Sequence, residues 1–481
     1  MSKFLQFLIL IVFTLSVGTV VAQKTWVGAN NGTWNTGSNW SPSGAPGAGD
    51  NVVISSSHNI NINTSATINR LTITGNVAVT FTSSGAGRTI TIDDTGSSID
   101  AGSSLELRGS TGTGTRSMIL AFTGSNETMN IAGTLTATAV GDGSSYVATN
   151  SLTTVNGTLI SSGGTITSTA ANLTISATGT YRHARNGAAI PTATWNASST
   201  CLVSGITNTI PSAGLGQSFG NFTWNCTGQT AAINNLAGAS GGLTTINGNF
   251  TISSTNGQTL NWNNTGTART ISVGGNFTNS GGVIDWASST STTTMNVAGN
   301  ITVSGSATLD TSTATTTVVN GTFVLTGTSP QTVNFSTPSN VTYTNFTINN
   351  NRTLVLGSNI ILNRNNNGPW RGVITVNSGG TINCGTNVID GGGLVQTNGE
   401  FNLNSGAKMI TANATGVQGS VNTTNVNPTY NSGASYEFRG AATGVFTLST
   451  ANTITGTMTI NRSAGVTLDQ DFTTSTLEFL D

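Results

Sequence analysis

The sequence predicts an all-β fold: a parallel β-helix, or β-solenoid, of about 18 coils, with an N-terminal aromatic cap behind a signal peptide. Three observations predict it. First, 61 Gly, 57 Asn, 89 Thr and 53 Ser make up more than half of the 481 residues, while Lys occurs at only three positions, so strong helix formers are scarce. Second, from Asn51 onward short runs alternate apolar and polar residues, as in Val52 to Ile54, Leu71 to Ile73, Val77 to Phe81 and Ile90 to Ile92. Period two, rich in Val, Ile, Thr and Phe and bounded by Gly, Ser or Asn, reads as strand. Third, a Gly-x-[Leu/Phe/Ile/Tyr] strand opening recurs at Gly133, Gly157 and Gly179, and again at Gly220, Gly248, Gly275, Gly299 and Gly321. The interval is the size of one solenoid turn, which can bury its inward residues only against neighbouring turns.

Charge narrows the function classes. The chain carries 15 Lys plus Arg against 16 Asp plus Glu, a formal net charge of −1. A nucleic-acid binder needs a basic face to neutralise phosphates, and none is available. With 36% apolar residues and 6% charged, the chain is not a self-repelling disordered tail either.

Residues 1–22 have a basic start at Lys3, an apolar run from Phe4 to Val21, and small residues at Val20 and Ala22. This is the pattern of a secretory signal, with cleavage after Ala22 leaving Gln23 at the new N-terminus. The competing reading is an uncleaved anchor, because the run approaches the roughly 18 to 20 apolar residues that span a bilayer. No comparable run follows, so no transmembrane helix is expected after signal cleavage.

Residues 23–50 hold Trp26, Trp34 and Trp40, three of the eight tryptophans, together with Pro42 and Pro46. A solenoid end exposes core and unpaired strand edge, so an aromatic cap over the first coil has a physical use. The alternative is an aromatic platform that stacks on sugar rings.

Residues 51–481 form the solenoid proper. At about 24 residues per turn and about 4.8 Å per turn, the rod is roughly 85 Å long. Inward positions take Leu, Ile, Val and Phe, outward positions take wettable Thr, and corners take Gly, Asn and Ser. Stacked Asn can form amide ladders. A longer-range phrase recurs at Asn69 to Ile73, Asn345 to Ile348 and Met458 to Ile460, which suggests modules 51–180, 181–330 and 331–481 within one solenoid. The last residues, Leu477 to Asp481, follow a phrase that elsewhere opens new coils, so the chain is expected to be a fragment of a longer protein.

The opening Trp26, Gly32, Trp34, Trp40, Pro42 and Asp50, the segment Ile190 to Trp195 leading to Gly216 to Trp224, and Met458 to Leu468 resemble the large β-helical surface or secreted proteins of Bacteroidota. The resemblance implies export by a cleaved signal and passage across the outer membrane by the type IX secretion machinery. That family's C-terminal sorting domain has no counterpart here.

Residues that could carry chemistry are few. Cys201 and Cys226 are separated by close to one coil, which makes them a candidate disulfide; the alternative is two small buried hydrophobes, and Cys384 reads as buried. Arg182, His183 and Arg185 form the densest basic patch, where the coil rhythm breaks before Pro191, and read as a loop that either contacts ligand or is solvated. His58 and His183 have no partners at metal-ligand spacing. Glycoside hydrolysis needs two carboxylates about 5 to 9.5 Å apart. Asp285 and Asp310 could stack on adjacent coils, Asp93 and Asp94 point to opposite faces, and Asp469 and Asp471 share a face. None has a neighbouring basic cluster to stabilise developing charge. Gly241–Gly242 and Gly391–Gly393 precede neither Lys-Ser/Thr nor a helix and are not phosphate loops. Thr72/Thr74, Thr89/Thr91, Thr134/Thr136 and Thr165/Thr167 raise an ice- or mineral-binding reading, which their irregular spacing weakens.

The expectation is an exported, non-enzymatic β-solenoid, extracellular or on the bacterial outer surface. It acts as an adhesin or structural rod that contacts glycans or cell-surface components weakly and many times over, with no cofactor and no nucleic acid. The alternative is a polysaccharide-degrading lyase or glycoside hydrolase with Asp285 and Asp310 in its groove.

Overall fold

The computed structural model describes residues 22–111, 116–124, 126–138, 143–238, 241–286, 292–309, 321–336, 344–362, 372–391, 399–440, 444–446, 453–463, 466–468 and 473–480. It is a β-solenoid of stacked parallel strands, and helix among these residues is confined to Gly416–Ser420 and a 3-10 turn at Gly37–Asn39. The chain divides into two compact units, 1–159 with 163–173 and 160–162 with 174–481. Both are built the same way.

In the first unit the chain visits three ladders in turn. Arg70–Ile73 lies in the first, Ala78–Ser83 in the second and Arg88–Ile92 in the third, and Ser97–Ile99 then returns to the first. Alternation sets which residues point inward: in Ser104–Arg108, Leu105 and Leu107 are buried while Glu106 and Arg108 face out. Registers are one-to-one along the stack, so Leu105 sits beside Val79 on one side and Leu135 on the other. The first ladder begins with Gln23–Trp26, which pairs parallel with Asn51–Ile54 and antiparallel with Trp40–Ser41.

In the second unit one long ladder runs from Thr180–His183 to Thr473–Phe479, and a nine-stranded ladder runs from Ser218–Phe219 to Val426–Tyr430. Successive rungs of the long ladder pair Met458 with Leu477 over a short coil, but Ile301 with Val333 over a much longer one. The coil has no fixed length, because extra residues enter at the corners while the inward columns stay in line. One such column reads Tyr181, Cys201, Phe222, Phe250, Phe277 and Ile301. Its Phe rings stack edge-on at 5.8 and 5.6 Å between centroids. In the last strand Leu477 and Phe479 lie beside Met458 and Ile460 and are 47% and 73% exposed.

The repeated Gly-Asn-Phe-Thr phrase has a specific cause. Asn221, Asn249, Asn276 and Asn300 form a column in which each Oδ1 accepts the backbone N–H of the residue on the next rung. The distances are 2.8 Å to Asn249, 2.8 Å to Asn276, 2.7 Å to Asn300 and 2.8 Å to Thr332. The preceding Gly makes room for that amide. Elsewhere at corners Asn31, Asn76, Asn235, Asn256 and Asn351 adopt positive φ, the left-handed conformation Asn tolerates best after Gly.

Candidate functional site

Trp26, Trp34 and Trp40 are no sugar platform. They are 2%, 0% and 2% exposed and pack on one another, with centroids 5.0 Å (Trp26 to Trp40) and 4.8 Å (Trp34 to Trp40) apart and near-perpendicular planes. Trp34 also meets Phe81 at 5.7 Å, and Trp40 Nε1 donates to the Trp34 carbonyl at 2.8 Å. With every ring buried, none offers a face to a ligand. The cluster covers the first rungs of the first unit, as an end cap must.

The basic patch is also placed differently from expectation. Thr180–His183 is not a loop but a rung of the long ladder, in register with Thr200–Val203. Alternation turns Tyr181 and His183 inward, both 0% exposed, and Arg182 outward, where its Nε donates to Ser204 Oγ at 2.9 Å. His183 Nε2 donates to the Gly187 carbonyl at 2.7 Å, so Nδ1 is the acceptor of the Tyr181 hydroxyl at 3.0 Å. Neither His183 nor Arg185, which is half-buried, stands off as a binding loop.

Burial pushes the His183 imidazole below its ordinary pKa; the neighbouring Arg185 adds to this, while the bond to Gly187 opposes it. The folded state therefore holds the neutral ring, and below the ordinary value of 6.5 the unfolded chain binds the proton more readily. Stability from this group is fully present above pH 6.5 and is lost as the pH falls below it. The chain has only two histidines, so the window between about pH 7.5 and about pH 5 is nearly free of other titrations. His183→Leu is expected to flatten the pH dependence of the second unit's denaturant midpoint across that window. An unchanged slope would assign the dependence elsewhere.

The candidate disulfide is absent: Cys201, Cys226 and Cys384 are free and buried. The coil that follows Cys201 is shorter than the spacing between the two cysteines. Cys201 therefore lies beside Phe222, and Cys226 falls past the strand end with its thiol toward the Val203 carbonyl at 3.6 Å. Burial raises all three thiols, Cys226 and Cys384 to about 12, so they are small core residues rather than nucleophiles.

Asp285 lies at the end of Val283–Asp285, half-buried, with Asn261 Nδ2 donating to its Oδ2 at 3.0 Å. Asp310, Asp469, Asp471, Gly392 and Gly393 lie outside the described residues, as do residues 1–21 of the signal. Asp94 is held below its ordinary pKa by the Thr95 backbone N–H and by Arg70 at 3.2 Å, and Asp93 accepts from Thr123. Among the described residues no group of three or more His, Cys, Asp or Glu could hold a metal, and no helix is long and apolar enough to cross a membrane.

One cluster escaped the sequence reading. Glu437, 4% exposed at its side chain, pairs with Lys408 at 2.7 Å and with Arg439. Burial pushes its carboxyl up, but the hydrogen bonds from Arg439 and Lys408 outweigh this and hold it below the ordinary range. Three charges on two paired rungs, Lys408 on one and Glu437 and Arg439 on the next, were the available signal in a charge-poor chain. With all its partners internal, the cluster holds rungs together.

The outward rows remain. Thr223, Thr251, Thr278 and Thr302 stand in one column of the second unit, the longest uninterrupted threonine row of that ladder among the described residues. Of the Thr pairs raised for ice binding, Thr91 adjoins Thr67 on one side but Ala121 on the other, and Thr89 adjoins Ile119, so that pair does not continue onto the next rung. The fold and surface define a β-solenoid with polar, nearly uncharged faces. No family model, curated protein or solved structure matches the chain.

Proposed function

We propose that the chain is part of an exported, non-enzymatic β-solenoid that works outside the cell or on a bacterial outer surface as an adhesin or structural rod. It binds neutral glycans or similar surface components through many weak contacts. The observation that carries this reading is the set of outward Thr and Asn columns held in register on a rigid ladder. Hydroxyls and amides repeating about every 4.8 Å can each make a weak hydrogen bond, and their number raises avidity without any strong single site. The signal-like residues 1–22 support export, and the resemblance to Bacteroidota surface proteins supports passage through their secretion machinery.

The enzymatic alternative has less support. Asp285, one of the two acids it would need, is half-buried and engaged by Asn261. The test is incubation with immobilised neutral and acidic polysaccharides: retention on at least one, without release of new chain ends, is the expected result. Release of new ends that disappears with Asp285→Ala would overturn it in favour of a glycoside hydrolase or lyase.

A further inference from the structure

In the first unit, one stretch of the outer surface differs from the rest. Ser98, Asn130 and Thr154 stand side by side on three successive rungs of the first ladder, in the row that also holds Thr25, Val53 and Thr72. Next to them runs a second row, in which Thr128 adjoins Leu152. Gly96, at φ +88°, precedes this row with no side chain, and its N–H donates to Thr128 Oγ1 at 2.6 Å. The missing side chain opens a shallow groove of about 540 Å³ floored by these rows. At its edge Asn156 Nδ2 donates to Asn130 Oδ1 at 2.8 Å, which fixes the orientation of the Asn130 amide.

Leu152 is the anomaly. On the neighbouring rungs of the groove the outward positions are Ser98, Thr128, Asn130 and Thr154, yet Leu152 occupies one and is 48% exposed, among the few large apolar side chains left uncovered. An apolar patch beside convergent hydroxyls and amides is the composition of a small-ligand site, and no charged residue lines the groove. The Arg70 guanidinium borders the groove, 3.5 Å from where a Gly96 Cβ would stand, but its charge is already engaged by Asp94 at 3.2 Å. A peptide strand could not add by main-chain pairing, because these rungs are paired on both sides within the ladder. A pyranose ring suits both features, with its C–H face against Leu152 and its hydroxyls toward Ser98, Asn130 and Thr154.

We propose that this groove binds a neutral glycan chain lying along the stacking direction, with Leu152 as the ring platform and Asn130 and Thr154 as the hydrogen-bonding wall. This rests on the surface-binding reading above and names its site. The test is affinity for a panel of soluble neutral and anionic oligosaccharides, measured on the full chain, on Leu152→Ser and Asn130→Ala, and on Leu477→Ser as a control at an exposed apolar residue elsewhere. The expected result is that the wild type binds a neutral glycan and that Leu152→Ser and Asn130→Ala each weaken it about tenfold or more, as loss of a central contact does. Leu477→Ser should match wild type, and all variants should keep the wild-type melting temperature, since surface changes cost little. Wild-type binding that survives both groove substitutions overturns the groove and leaves the adhesin reading standing. Binding of anionic glycans alone overturns the ligand class, and no binding across the panel by the wild type overturns both readings.

Discussion

Trp34→Ala is expected to destabilise the first unit by about 3–5 kcal/mol, the range for truncating a large buried aromatic. The ring is 0% exposed and is held edge-on by Trp40 at 4.8 Å and by Phe81 at 5.7 Å. Truncation removes both aromatic contacts and leaves a void that neighbouring backbone cannot close, because Gln23–Trp26 and Trp40–Ser41 are pinned by their own pairing. The Trp40 Nε1 bond to residue 34 is to a carbonyl and survives the change, so the loss reports packing alone. In a solenoid each rung answers mainly to its neighbours, so damage at an end propagates inward by fraying rather than by global collapse. Hydrogen exchange should therefore speed up most at His58–Ile62 and not at Phe277–Asn279. Trp34→Phe should recover much of the protection. A midpoint within about 1 kcal/mol of wild type for Trp34→Ala would mean the cluster does not cap the first rungs, since even modest core truncations usually exceed that.

How far the sequence could be read depended on which part of a coil carried the information. Inward columns were legible because alternation is local: Leu105, Leu107, Phe250 and Phe277 could be assigned from the two residues on either side. The Gly-Asn-Phe-Thr phrase was legible as a repeat because its Asn amides lock successive rungs and its Gly residues admit them, so the same residues return wherever that geometry does. Rung pairing across a corner was not legible. Corner insertions change coil length without disturbing any local pattern, and Cys201 met Phe222 rather than Cys226 for that reason alone. His183 was misplaced by residue type: a charged, proline-adjacent stretch suggested a loop, although Tyr181 and His183 stand at alternate positions of a strand and satisfy each other's polar atoms inside it. The tryptophan cap was legible as a location, but the orientation of its rings depended on tertiary contacts. The Leu152 groove left one mark in the sequence, an apolar residue at an outward position, and that gains meaning only once the register sets it beside Thr128 and Asn130.

The second large effect is expected at Gly275, where alanine should cost about 3–5 kcal/mol: roughly 1–3 for forcing atoms into a packed site and about 1 for each hydrogen bond disturbed. A Cβ at this position would lie 2.6 Å from Asn249 Oδ1 and 2.8 and 2.9 Å from the carbonyl carbon and oxygen of Gly248. The amide can rotate away only by giving up the 2.8 Å bond it accepts from the Asn276 N–H, and that N–H has its partner in the Asn column. The Gly248 carbonyl cannot withdraw, because it accepts the Gly275 N–H at 2.8 Å in the rung-to-rung ladder. A double-mutant cycle separates the two obstacles. Asn249→Ala alone loses one link of the column, and in the Gly275→Ala/Asn249→Ala pair the amide clash is gone while the backbone clash remains. The pair should therefore be less destabilised than the sum of the singles, by the share of the cost that belongs to the amide. Strict additivity would place the whole penalty on the backbone and would mean that Gly precedes Asn in this phrase for chain-to-chain approach alone, with the amide column a consequence of close stacking rather than its cause.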